Sequence, residues 1–470
     1  MRLSKAAPTL LLFVSLVCLA QTRFPDTPAG HQSKAWLESF NSGDTNAHRE
    51  FLEKNSPSRL EHLEHEMEFR RRTGGFDVKR IEESTATKIT VLVQERSSDQ
   101  FARLTMEVQA EEPHRITSIE VRAIPRPAEF PLPRLSESEL VAAAKKNIER
   151  EVVADNFAGA AMIMKNGSPV LAEAYGLADR ERKIPNTLKT RFRIGSMNKM
   201  FTAVATLELA KAGKLDVKDA VGKYLTDYPN KDIASKVTIA HLLTHTGGTG
   251  DIFGPEFEAH RLELKTIEDY IKLYGNRPPK FEPGTRWEYS NYGFILLGAI
   301  IEKVSGQSYY DYVREHIFEP AGMTSTGSEP EDKTLPDRSL GYTKMDSTVW
   351  APNTDTLPYR GTSAGGGYST VEDLTRFAEA LKSHKLLDAL YTEMLTTGKP
   401  GTPDNSYAYG FENRLTNGMR CFGHGGGAPG MNGDLRICPE SGYVVAVLAN
   451  LDPPAASRVS DFILNRLPEK

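Results

Sequence analysis

Cysteine is scarce: three residues in 470, so no disulfide framework holds this chain together. Charge of one sign is missing too. Lysine and arginine number 58 against 62 aspartates and glutamates, a balance that argues against a nucleic-acid surface or a polybasic membrane patch and points to small or neutral partners. The nearest approach to a membrane span is the opening MRLSKAAPTLLLFVSLVCLA, whose apolar run is too short for a comfortable crossing. With Arg2 and Lys5 ahead of that run and Ala20 behind it, residues 1–20 read as a signal peptide, an uncleaved anchor being the alternative. Export to the periplasm or the medium is the expectation, with no stable membrane span left after cleavage. Val17 is branched where a lipidation site at Cys18 wants a small residue. Internal repeats and low-complexity tracts are absent as well.

What is there suffices for two or three domains with a large core. The stretch PRPAEFPLPR (125–134) holds four prolines and no apolar periodicity, the composition of a stiff linker. Ahead of it, residues 31–124 run helix first and strand later. SKAWLESF and AHREFLEK have helical apolar spacing, and RLEHLEHEMEFRRR predicts a longer, charged helix. DVKRIEES, TKITVLVQER, FARLTMEVQ and HRITSIEVRAI alternate as strands do. That order implies a small α+β domain, and its opening AWLESFNSGD resembles domains of the nuclear-transport-factor-2-like type. His62 and His65 lie among glutamates on a solvated face, so this domain is assigned no chemistry. Behind the linker, residues 135–470 open on a helix with Ser136 and Glu139 as a capping box. A hairpin turning at Lys165-Asn166-Gly167 follows. MRCFGHGG, DLRICP and YVVAVLAN are strand-like, and ASRVSDFILNRL is a last helix.

Within the large part, RFRIGSMNKMFTAVATLELAKAGKLD (191–216) predicts a helix that is apolar nearly all round and ends near Gly213, yet carries Ser196 at its start and Lys199 a turn later. One reading makes Ser196 an N-cap and lets Lys199 snorkel to water. The other uses their common face: a lysine buried near a helix N-terminus loses basicity and can take the serine proton. Tyr289, Ser290 and Asn291 crowd the entrance to a second apolar helix, GFILLGAIIEKV, where Asn291 alone reads as an N-cap and Tyr289 as packing. In CFGHGGGAPGMNG, His424 ends a strand and precedes a glycine-rich loop whose N–H groups can approach a ligand, as an oxyanion hole requires.

Taken in this order, Ser196-Met-Asn-Lys199, Tyr289-Ser-Asn291 and His424-Gly-Gly426 resemble the three motifs of the serine β-lactamase and penicillin-binding-protein superfamily, above all its class C β-lactamase, esterase and D-aminopeptidase branch. The phrases TIAHLLTHTGG, PGTRWEYSNYGFILLGAIIEKVSG, IFEPAGM and SAGGGYSTVEDLTRF extend the resemblance over residues 140–465. It implies an α+β, β-lactamase/transpeptidase-like fold for residues 135–470: an antiparallel sheet flanked by helices, a helical subdomain, and the active site between them. It also implies Ser196 as the acylated nucleophile, Lys199 as its proton acceptor or electrostatic partner, and Tyr289 as the phenol that relays the proton to the leaving group. Asn291 would hold the substrate's amide or carbonyl, His424 and Gly426 would line the substrate side, and the N–H groups of Ser196 and Gly427 would form the oxyanion hole. No cofactor and no metal are implied. Which of Lys199 and Tyr289 is the base stays open, as do the natural substrate and the oligomeric state.

One departure matters. Many relatives carry lysine in the third motif, whose fixed charge attracts a substrate carboxylate, whereas His424 is mostly neutral near pH 7. That shifts the expectation from penicillins toward esters, amides or small peptides, cleaved by an exported serine hydrolase through an acyl-enzyme on Ser196. The alternatives are a β-lactamase or D,D-peptidase acting on β-lactams or peptidoglycan peptides, and a non-catalytic ligand-binding protein on the same fold. Among rival motifs, Gly361-Thr-Ser363-Ala-Gly365 fits the nucleophile elbow G-x-S-x-G but lacks the strand before and the helix directly after. His241 and His245 have the spacing of helical metal ligands without a third partner, so a structural role is favoured. Cys421 and Cys438 lie equally far from a turn near Pro429 and Gly430. They are expected to form one disulfide, the alternative being two small buried hydrophobes.

Overall fold

A computed structural model describes residues 23–345, 349–416 and 418–468, so the signal-like segment 1–20 with Cys18 lies outside the described residues. The described residues form two compact units that divide between Pro131 and Leu132, inside the proline-rich stretch. Among the described residues no helix is long and apolar enough to cross a membrane.

In the first unit, helix α1 (Pro28–Ser42) is capped by Thr27 and helix α2 (Thr45–Asn55) by Asp44, whose side chains accept backbone N–H bonds. The expected single helix over 59–72 is broken. Pro57, with its fixed φ, opens a separate 3₁₀ turn, Pro57–His62, and α geometry begins only at helix α3 (Leu63–Thr73). Strands β1 (Phe76–Ser84), β2 (Lys88–Glu95), β3 (Phe101–Val108) and β4 (Ile116–Ile124) then form an antiparallel sheet in sequence order. Trp36, Leu37 and Phe40 of α1 share a core with Ile89, Val91 and Val93 of β2 and Leu104 and Met106 of β3, the alternate residues of one sheet face. His62 and His65 are exposed. Buried His48 contributes more: its Nε2 meets Glu66 Oε2 at 2.9 Å and its Nδ1 meets Ser39 Oγ at 2.9 Å. Arg59 Nε donates to the other Glu66 oxygen, so one polar cluster ties the helical segments together.

The second unit opens with helix α4 (Glu137–Val153), whose Ser136–Glu139 capping box is formed on both sides. Strands β5 (Gly159–Lys165) and β6 (Ser168–Tyr175) make a hairpin in which Asn166 and Gly167 take positive φ (50° and 82°), the pattern of a type I′ turn. Strand β7 (Phe192–Gly195) leads into helix α5 (Asn198–Lys211); beyond a run of short helices lie helix α6 (Asn291–Ser305) and, further along, strand β8 (Gly367–Ser369), which pairs with β7, and helix α7 (Val371–Lys382). Strands β9 (Glu412–Thr416), β10 (Met419–Ala428), β11 (Met431–Cys438) and β12 (Tyr443–Ala449) complete the main sheet, and helix α8 (Ala455–Leu464) ends the fold. The sheet is antiparallel in the order β9-β10-β11-β12-β5-β6.

Strands β11 and β12 are buried at every residue, and the period of two divides them between two cores. Val444, Ala446 and Leu448 face the helical subdomain with α5, α6 and α7, while Val445, Val447 and Ala449 face α4 and α8. This is the β-lactamase/transpeptidase-like α+β arrangement that the motifs imply. On β10 the same parity turns Phe422 toward the helical core and Cys421 toward the terminal helices.

The ladder register pairs Phe422 with Ile437, which brings Cys421 and Cys438 opposite one another with Cα atoms 4.2 Å apart, and they are joined as a disulfide. Closing a loop of this length stabilises a fold by about 3 kcal/mol in the chain-entropy description. Alkylation without reductant is therefore expected to label neither Cys421 nor Cys438, and replacing both with alanine to lower the unfolding free energy by about 2–4 kcal/mol. Two labelled thiols at these positions in the native protein would contradict the bridge.

Candidate active site

Ser196 does not cap helix α5. It follows strand β7, and its carbonyl already accepts the Lys199 N–H at 3.0 Å, so the serine and the lysine occupy one helical turn. Lys199 does not snorkel: its side chain is 0% exposed. Its amine donates to Asn291 Oδ1 at 2.7 Å and to the Ala364 carbonyl at 2.6 Å, and its third contact is Ser196 Oγ at 3.1 Å. Burial lowers its pKa to about 7, with the Asp251 carboxylate pulling the other way. A neutral amine here donates to the two obligatory acceptors and turns its lone pair to the Ser196 hydroxyl.

The carbonyl that holds Lys199 belongs to the segment that mimics a nucleophile elbow. Three side chains of α5 grip successive carbonyls of that segment: Asn198 donates to Thr362 O (2.8 Å), Thr202 to Ser363 O (2.7 Å) and Lys199 to Ala364 O. Ser363 is wholly buried and its Oγ has no hydrogen-bond partner, so no base is placed to activate it. Strand β8 follows the motif instead of preceding it. Gly361 to Gly365 is thus the seat of the lysine and not an elbow.

In the second motif the cap is Ser290, whose Oγ accepts the Gly293 N–H at 2.9 Å, which frees Asn291 from that duty. Asn291 instead bridges the amine and a carboxylate, accepting from Lys199 and donating through Nδ2 to Asp251 Oδ1 at 2.9 Å. The Tyr289 ring centroid lies 4.8 Å from Lys199 Nζ. Burial raises the pKa of the phenol, while a side-chain hydrogen bond with Ser196 acts against that rise.

The third motif approaches Ser196 through its backbone. A Cβ on Gly426 would fall 1.9 Å from the Ile194 carbonyl, and one on Gly195, itself at φ +52°, would fall 3.0 Å from Gly427 N. Only glycine permits this contact of β10 with β7, which brings the Ser196 and Gly427 backbones side by side. Gly427 opposes Asn432 one position from the two-residue turn at Pro429-Gly430, a place where the N–H points away from the partner strand. Strand β9 has already ended opposite Gly423, so that edge of β10 is uncovered toward the cleft. The side chain of His424 is 2% exposed, and its Nε2 contacts Tyr407 Oη at 3.0 Å. Burial lowers its pKa to about 4 against the opposing pull of Glu412.

Ser196, Asn291, Ala364 and Gly427 open onto a cleft of about 520 Å³. Its lining combines an apolar group, Ile252, Phe253, Phe257, Leu357, Pro358 and Met431, with the charged Glu258, Arg261 and Asp355. His241 and His245 do separate work: His241 closes a helix cap with Thr238, and His245 packs 4.3 Å from the Tyr289 ring. Among the described residues no cluster suited to a metal ion is found. Sequence reasoning missed Asp251, Ala364 and Tyr407. The phrase SAGGG carried a signal for Ala364, since consecutive glycines imply close backbone approach; Asp251 and Tyr407 carried none.

The family model described as beta-lactamase matches residues 145–469. A putative penicillin-binding protein, PbpX, of Bacillus subtilis (strain 168) is 34% identical over 293 residues, covering 62% of this chain and 70% of that protein. The chain spans under two thirds of the length of the next curated relatives. Among solved structures, a penicillin-binding protein from Bacillus halodurans is 33% identical with a TM-score of 0.60, over 70% of this chain and 98% of that one. A D-stereospecific amidohydrolase from Streptomyces sp. is 27% identical with a TM-score of 0.60, over 69% and 98%.

Because Asp251 favours the charged amine, removing its charge lowers the Lys199 pKa further. In Asp251→Asn, whose amide oxygen still accepts from Asn291, the pH dependence of labelling by a fluorophosphonate is expected to move to lower pH than in the wild type. A midpoint that stays in place or rises would show that Lys199 does not set it.

Proposed function

The chain belongs to the beta-lactamase family, and from that premise we propose that it is an exported serine hydrolase that cleaves uncharged esters or amides through an acyl-enzyme on Ser196. The observation that carries this reading is the amine of Lys199, held by two acceptors with its third contact at Ser196 Oγ. In its neutral form Lys199 takes the serine proton as Oγ attacks the carbonyl carbon. The Ser196 and Gly427 N–H groups stabilise the oxyanion that forms. The C–X bond then breaks, the ammonium of Lys199 returns its proton to the leaving group with Tyr289 as relay, and water completes the cycle by the same route. Asn291 fixes the amine and stands at the cleft, where it holds the substrate's amide or carbonyl.

Substrate choice follows from the lining of the cleft and from the buried third motif behind it. His424, buried and neutral, supplies no fixed charge, and the apolar group of the lining, with Phe253 61% exposed, favours a bulky aliphatic or aromatic group. The amidohydrolase likeness supports amides as a second leaving-group class. The relatives named as penicillin-binding proteins bring β-lactams into the comparison.

p-Nitrophenyl esters of increasing chain length, D-amino-acid amides and a chromogenic cephalosporin are to be assayed side by side. Ester turnover is expected to exceed cephalosporin turnover in kcat/KM, to vanish in Ser196→Ala, and to slow at acylation by at least ~100-fold in Lys199→Ala. Equal signals from wild type and Ser196→Ala would remove the enzyme; a preference for the cephalosporin would reverse the substrate assignment.

A further inference from the structure

Two buried histidines and a buried tyrosine that no motif predicted to act together form a single hydrogen-bonded chain. The Ser290 N–H donates to His245 Nδ1 at 3.1 Å, His245 Nε2 contacts Tyr407 Oη at 3.0 Å, Tyr407 Oη contacts His424 Nε2 at 3.0 Å, and His424 Nδ1 contacts the Gly425 carbonyl. Both ends are backbone groups of fixed role, and they assign every proton between. A backbone N–H can only donate, so His245 Nδ1 accepts and its proton is on Nε2. A carbonyl can only accept, so His424 carries its proton on Nδ1 and Nε2 accepts. Tyr407 receives from one ring and donates to the other.

We propose that Tyr407 is a positioning residue: through this one-way chain it locks His424 and His245 as neutral rings of opposite tautomer and fixes the distance between the second and third motifs. The chain's ends explain the consequence. Ser290 lies between Tyr289 and Asn291, and Gly425 lies two residues before Gly427. One hydroxyl therefore sets the gap between the phenol and amide on the helical side and the oxyanion donor on the sheet side. Protonation of His424 would aim a second N–H at the Tyr407 oxygen and strand the tyrosine's own proton, so the chain opposes a charge in the third motif. Burial acts in the same direction on His245, Tyr407 and His424. The titratable and charged groups whose fields reach His424 are Glu412 on β9, the Lys199 amine on α5 and Arg436 on β11. Glu412 favours protonation, but it is itself bonded to Arg436 and Arg414.

The kinetic arm of the test rests on the proposed hydrolase; the spectroscopic arm does not. In ¹⁵N-histidine-labelled protein, with His245→Asn and His424→Gln used for assignment, His424 is expected as the Nδ1–H tautomer and His245 as the Nε2–H tautomer, neither titrating between pH 5 and 8. Tyr407→Phe removes both hydrogen bonds at nearly constant volume. It is expected to release the tautomers, to raise the pH at which His424 titrates, and to lower ester kcat by roughly 10–100-fold through misplacement of the donors, with an unchanged circular dichroism spectrum. A wild-type His424 that titrates near 6.5 or carries its proton on Nε2 overturns the proposal. So does a Tyr407→Phe protein with wild-type tautomers and wild-type kcat. Should Tyr407→Phe fail to fold, the wild-type tautomers alone decide.

Discussion

The structure depends on an amine without water. Moving the Lys199 pKa from 10.5 to about 7 disfavours its charged form by on the order of 5 kcal/mol, a penalty that a fold tolerates only where the group has a task. Its surroundings are arranged around that amine. Helix α5 supplies the lysine and, through Asn198 and Thr202, grips the carbonyl segment that receives it. Helix α6 supplies Asn291, which Asp251 orients from the other side. With two of the amine's directions committed to obligatory acceptors, the third falls on Ser196. On the proposed reading that contact makes Lys199 the base, a choice between lysine and phenol that the motif alone left open.

The main sheet provides the other half of the site by exclusion of side chains. Gly195 and Gly426 let two strands touch at the backbone, which is how a donor three residues beyond His424 comes beside the serine. Parity does the rest. Cys421 and His424 stand on one strand with an odd separation, so the disulfide braces the face under α4 and α8 while the histidine turns to the other face, against Tyr407. Stability and chemistry are placed on opposite sides of the same strand.

Much of this was legible from local pattern. Ser196, Lys199, Tyr289, Asn291 and the glycines after His424 are short-range motifs in order, and the capping box at Ser136 and the turn at Asn166 are stated by their own residues. The 3₁₀ break at Pro57 was legible too, since the proline marks it, but the charged periodicity on both sides masked it. Ser290 rather than Asn291 caps its helix because the asparagine amide is claimed by two groups far away in sequence, the Lys199 amine and the Asp251 carboxylate. Tyr407 and His245 were illegible for the same reason: each is an ordinary residue until the fold brings 162 residues of separation down to a hydrogen bond. Local rules find the groups that react and miss the ones that hold them.

Near pH 7 a substantial fraction of Lys199 is a neutral amine. Its direct measure is the ¹⁵Nζ titration of lysine-labelled protein, with Lys199→Ala used for assignment. One lysine amine resonance is expected to titrate near pH 7, well below the rest, and to be absent from the variant. If every lysine in the native protein instead titrates near 10.5, Lys199 is a permanent cation, and the base that activates Ser196 must be sought elsewhere.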